Sequence, residues 1–251
     1  MLTCALCGKL LPESYWTVKR GEKKDCFCSE RCADFVIENK YRFCFFCGQI
    51  ISGQPWFNPD GTLSCETCYR NGVKSQDELE ENWDEVLDIF IDRFSYAPPC
   101  GVKPGFMYDD SEYEISVNYA DCNGLHCFVK YDDRHSCFKV YIRRGLSSRQ
   151  CQSTMAHEIA HDLMYHIWGD PGDNVVSEGF AVYMQSLYNI ASNHQELNKN
   201  LALPRNTQGN SPDPYSEGYK KISRIAECEG YKGVMRFMRE ASAKNNFMRS
   251  N

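Results

Sequence analysis

His157-Glu158-Ile159-Ala160-His161 constrains the fold more than any other stretch of the chain. On a helix, positions i and i+4 lie one above the other, so two histidines four residues apart can grip one ion from one face. A glutamate beside the first histidine falls where it could hold and deprotonate a water next to that ion. The flanks agree with a helix. Ser147 offers a cap after Gly145-Leu146, and apolar residues recur at Ala156, Ile159, Ala160, Leu163, Met164 and Ile167. Gly169-Asp170-Pro171-Gly172-Asp173 should end that helix, and a second should begin near Asp173 or Asn174.

That second helix carries the expected third ligand. Glu178 shares a face with Val175, Ala181, Val182 and Gln185, a largely apolar surface. A carboxylate buried there must be paired or bound to a metal. Sixteen residues separate His161 from Glu178, enough for one helix to finish, turn and meet an antiparallel neighbour. Zinc held by His157, His161 and Glu178 would keep one open position, the arrangement of a hydrolytic site, with Glu158 as base. Asp162 and Asp170 are competing acids: the first directly follows a ligand and so points elsewhere, and the second sits in the turn. His166 is off the face of His161. A donor for the oxyanion of a tetrahedral intermediate is expected from Tyr215, at the start of a third helical stretch, with Gly218 permitting close packing. Tyr219 is the alternative.

The cysteines divide the chain. Nine of fifteen fall within the first 68 residues, and eight of them form two pairs of pairs. Cys4-x2-Cys7 is completed by Cys28-x3-Cys32, which opens a helix through Ala33, Phe35, Val36 and Ile37. Cys26 is the competitor for the place of Cys28. Cys44-x2-Cys47 is completed by Cys65-x2-Cys68, with Gly53, Pro55, Pro59 and Asp60-Gly61 marking hairpin turns between them. Each quartet predicts one structural zinc. Modules this small cannot fold on their hydrophobic cores alone, so the metal would supply much of their stability. Closed thiolate sites hold shape and present a surface; they do not hydrolyse. The other six cysteines are scattered, as reduced thiols in a cytoplasm would be.

The expected fold class is α+β: two small treble-clef or zinc-ribbon modules over 1–72, then a larger domain over 78–251. The polar stretch 69–82 reads as a linker running into a helix. Trp83, Val86, Leu87, Phe90, Ile91 and Phe94 form that helix's apolar stripe, ended by Pro98-Pro99. Strands are expected at 113–119, 126–131 and 138–142, a short sheet whose edge could pair with an extended substrate. His126 and His135 read as structural. Residues 192–214 read as a polar loop, followed by helices near 215–228 and 231–244. Met1-Leu2-Thr3-Cys4 runs straight into a ligand pattern, which predicts no secretory leader, and no apolar run is long enough to span a membrane. A net charge of −6 argues against general nucleic-acid binding.

Two N-terminal cysteine modules, a helix, then Val140-Tyr141-Ile142-Arg143-Arg144-Gly145-Leu146 leading to Ala156-His157-Glu158-Ile159-Ala160-His161, and then Ser177-Glu178-Gly179, resemble the LIM-linked peptidases that limit organ size in plants, the DA-one-like family. The segment from Tyr215 to Tyr219 is similar to that family's Tyr-Gly-x-Gly-Phe. The stretch from Cys32 to Cys44 is longer than the two-residue join of a LIM pair, and no histidine stands in the ligand set. The resemblance implies a gluzincin fold, a metallopeptidase activity on proteins or peptides, and a partner in the ubiquitin pathway. The alternative is a zinc-ribbon adaptor whose peptidase-like domain is inert.

Overall fold

The computed structural model describes residues 3–6, 9–20, 23–38, 42–51, 54–58, 61–99, 102–107, 123–130, 136–202 and 213–249. The fold is mixed α and β, and the chain divides into two compact units, Met1–Gly72 and Val73–Asn251.

The first unit is built twice on one plan. β1 (Trp16–Arg20) and β2 (Lys23–Phe27) form an antiparallel hairpin followed by α1 (Glu30–Glu38). β3 (Trp56–Phe57) and β4 (Leu63–Ser64) form a shorter one followed by α2 (Glu66–Asn71). One constant offset relates Thr3 to Phe43, Cys4 to Cys44, Leu10 to Ile50 and Trp16 to Trp56. The hydrogen bonds repeat with it. Thr3 bridges Leu10 as Phe43 bridges Ile50, and Cys4 N donates to Lys9 O at 2.7 Å as Cys44 N does to Gln49 O at 2.8 Å. Among the described residues, Phe27, Ala33, Val36 and Cys4 are the buried centre of the first copy. So small a core cannot by itself outweigh the chain entropy of its module.

In the second unit, Val73 already belongs to the larger domain. Its N–H donates to Leu146 O at 2.8 Å and its carbonyl accepts from Gly145 N at 2.9 Å. The stretch expected as a linker is therefore mostly α2 and the start of α3 (Gln76–Phe94). Ser75 and Glu78 form a reciprocal capping box there, and α3 buries Leu79, Trp83, Val86 and Phe90. The three-stranded sheet has the order β5 (Pro104–Phe106), β7 (Ser136–Ile142), β6 (Gly124–Lys130). β6 runs antiparallel to β7, and β5 pairs with it in parallel, a strand the sequence did not suggest because proline and glycine occupy it. The expected strand at 113–119, His135 and Cys7 lie outside the described residues.

α4 (Ser148–Ile167) is the centre of this unit and is buried on nearly every side, polar positions included. Those positions have partners, as buried polar groups must. Gln152 bonds to Glu85 and, at 3.3 Å, to Tyr188; Ser153 Oγ accepts from Gln185 at 3.0 Å. The buried Asp162 carboxylate accepts from the hydroxyl of Tyr96, just past the end of α3. α5 (Asn174–Ala191) packs along α4, with a short 3-10 turn at Gln195–Asn200 inside the region expected to be loop. α6 (Pro214–Arg249) is broken at Gly230 (φ 67°, ψ −173°), so it is two helices in sequence. No helix among the described residues is long and apolar enough to cross a membrane.

Candidate functional site

α4 and α5 bring the expected ligands together. Ser147 and Gln150 form a capping box that fixes the first turn of α4, and Asp173 caps α5 by accepting from Val175 N at 2.9 Å. His157 and His161 then stand one turn apart on α4, opposite Glu178 in the second turn of α5. His157 Nε2 lies 3.3 Å from His161 Nε2 and 3.2 Å from Glu178 Oε2; His161 Nε2 lies 3.6 Å from that same oxygen. Ligands at about 2.0–2.1 Å from a tetrahedral ion are separated by about 3.3 Å, so three donor atoms here stand at the spacing zinc requires. Three side chains almost excluded from water and converging on one point are costly unless they share a proton or a cation. The donor set, two imidazoles and a carboxylate, suits zinc.

The electrostatics follow from that convergence. Burial works to raise the Glu178 carboxyl, but the imidazoles of His157 and His161 outweigh it and hold the group below the usual carboxylate range. Burial works to lower His161, yet the bond to Glu178 and the charges of Glu178 and Glu158 leave it raised. The cleft over this triad, about 260 Å³, is lined by Gly124, Leu125, Glu158, Tyr165, Asn174, Ser177 and Tyr215 as well. Glu158 is buried, and Gly124 at the start of β6 meets it closely. A Cβ there would lie 2.6 Å from Glu158 Oε1 and 2.5 Å from Thr154 Cγ2.

Of the two tyrosines weighed as donors, Tyr215 lies in the cleft, its ring stacked on His157 with centroids 6.0 Å apart. Tyr219 points to α5 instead and donates to Ser186 Oγ at 3.2 Å. A glycine contact sets this arrangement. α5 and α6 cross at Gly179 and Gly218, where a Cβ on Gly218 would lie 2.6 Å from Gly179 Cα and 2.1 Å from Val175 O. The crossing brings the first turn of α6, and Tyr215 with it, against the triad. His166 turns away and bonds to its own helix at Asp162 O, 3.0 Å distant, while Asp170 belongs to the turn, accepting from Gly172 N at 2.8 Å.

The cysteines gather as two further groups. Cys44, Cys47, Cys65 and Cys68 hold their sulfurs within 4.8 Å of one another, as do Cys4, Cys28 and Cys32. Cys26 is outside that second group. Sulfurs stand 3.8 Å apart between Cys28 and Cys32 and 3.9 Å apart between Cys47 and Cys65. A tetrahedral ion with about 2.3 Å zinc–sulfur bonds spaces its thiolates by about 3.8 Å, whereas a disulfide needs about 2.05 Å. Burial pushes the Cys44 thiol up, but the backbone N–H groups of Cys65, Cys47 and Phe46 bring it down to about 7. Burial and the neighbouring thiols push Cys68 up, and Cys47 is raised too. Like charges crowded together resist ionising; a dication at the centre removes that conflict. These groups are suited to a metal such as zinc.

Tyr165 and Asn174 line the cleft and were not picked out from the sequence, although each lies one helical turn from a candidate ligand, His161 and Glu178 respectively. Gly124 and Leu125 gave no local signal, because only the pairing of β6 with β7 brings them to the cleft. No protein-family model, no curated protein and no solved structure matches the chain.

Proposed function

We propose that the second unit hydrolyses peptide bonds in protein or peptide substrates as a zinc metallopeptidase of gluzincin type, akin to the DA-one-like family, with the cysteine modules recruiting or regulating. The observation that carries this reading is the triangle of His157, His161 and Glu178 donor atoms beside a buried Glu158 in one cleft. Zinc held by these three residues would supply a Lewis acid that makes water nucleophilic near neutral pH. Glu158 takes the proton from the attacking water and delivers it to the leaving amine. Tyr215, stacked on His157, donates its hydroxyl to the oxyanion as the carbonyl becomes tetrahedral. β6 borders the cleft through Gly124 and Leu125 and is an outer strand of its sheet among the described residues, an edge to which an extended substrate could add.

Glu158→Gln tests the chemistry. It should retain zinc and fold while losing about 10²–10⁴ of the hydrolysis rate, read on a chelator-sensitive peptide-cleavage assay. Near-normal turnover would remove Glu158 as the base. A second reading is favoured by the exposed Trp16, Trp56 and Phe57 of the first unit: an adaptor that binds protein through these aromatics. Binding without cleavage by the wild-type chain would select it.

A further inference from the structure

We propose that Ser177 is a positioning residue for His161, its hydroxyl holding the Nδ1 edge of that imidazole so that the Nε2 lone pair faces the other two ligands. Ser177 Oγ lies 3.3 Å from His161 Nδ1. On the opposite edge of the ring, Nε2 lies 3.3 Å from His157 Nε2 and 3.6 Å from Glu178 Oε2. A neutral imidazole carries one ring proton. A proton on Nδ1, donated to Ser177 Oγ, leaves Nε2 free to bind a cation; the other tautomer aims a proton into the triad.

The helix holds the hydroxyl in place. Ser177 N donates to Asp173 O at 3.0 Å, inside a first turn whose Asp173 cap is itself satisfied. Ser177 immediately precedes Glu178, so two adjacent residues of α5 contribute one ligand and orient another. His157 has no such support: its Nδ1 is buried and has no hydrogen-bond partner among the described residues. Of the two imidazoles, the one farther along α4 is therefore the one whose tautomer the neighbouring helix selects.

This inference rests on the triad being a cation site, and the experiment separates the two. Zinc is titrated against a competing chelator into the full chain with its thiolate groups already loaded. Wild type, Ser177→Ala, Ser177→Thr and His157→Ala are compared, with helicity followed by circular dichroism. Ser177→Ala should weaken the additional zinc about 10-fold or more with helicity unchanged, and Ser177→Thr, which keeps the hydroxyl, should restore it. Nitrogen-15 imidazole spectra of the loaded wild type should place the His161 proton on Nδ1. Unchanged affinity in Ser177→Ala, or equal loss in the threonine variant, overturns the positioning role. Failure of the wild type to take up any zinc beyond His157→Ala overturns the cation site instead.

Discussion

Gly218→Ala would separate the two helices that frame the cleft. The added Cβ would meet Val175 O at 2.1 Å, and Gly179 Cα and N at 2.6 and 2.7 Å, where ordinary contact begins near 3.4 Å. All three atoms are backbone, so no side chain can swing aside; α5 and α6 must part by about 1 Å. Overpacking of this kind costs about 1–3 kcal/mol, and alanine's better helix propensity returns about 1 kcal/mol. With rigid neighbours the upper part of the range applies, which leaves a net loss of about 1–2 kcal/mol. For a domain of this size that lowers Tm by a few degrees. Tyr215 lies one turn before Gly218 and moves with it, and a displacement of about 1 Å is worth about 10²-fold in rate. Thermal unfolding and peptide cleavage are measured side by side, with zinc content expected to hold. A variant that melts higher, by the propensity gain alone, and cleaves at the wild-type rate would refute the tight crossing.

His157→Ala should lower zinc content by one ion per chain, counted by elemental analysis, and Cys65→Ser should do the same independently. Chelation should unfold the first unit, seen as proteolysis within 1–72, because its buried core is too small to persist unaided. Ser75→Ala should destabilise the second unit by about 1 kcal/mol in urea unfolding through loss of the α3 cap. Glu78 accepts from Lys74 N at 2.8 Å and Ser75 N at 3.0 Å, bonds that hold its carboxyl below its ordinary value. Its folded pKa is depressed, so its contribution is present above the unfolded value and disappears as pH falls through the folded one. Glu78→Gln should flatten the acid side of the stability profile, and an unaltered slope would contradict that assignment.

What the sequence made legible was local. The starts of α4 and α5 follow from Ser147 and Asp173, which sit before helical periodicity and act as caps. The break at Gly230 separates two helical stretches that the pattern also separates. β6 and β7 coincide with two hydrophobic runs, whereas β5 depends on a long-range parallel partner and contains residues that disfavour strands. The stripe on α4 suggested one buried face, yet the helix is enclosed, because Gln152, Ser153 and Asp162 find polar partners on α3, α5 and the segment after α3. Nothing in a single sequence pairs those groups. Gly218 was expected to permit close packing, but nothing in the sequence named Gly179 as the residue it packs against. Glycine at each position is what lets α5 carry Glu178 while α6 brings Tyr215 to the same cleft.

The turn from Gly169 to Asp173 sets how far apart α4 and α5 can stand, and the far end of α6 fastens it. Ser242 Oγ donates to Gly169 O at 3.3 Å, and Asn245 Nδ2 donates to Asp170 O at 2.9 Å. The same asparagine fills the space above Gly172, so no larger residue fits there without dislodging it. The end of α6 thus acts as a clasp on the elbow behind the triad. Trimming those last turns would leave every donor atom in the chain and still loosen the grip they share.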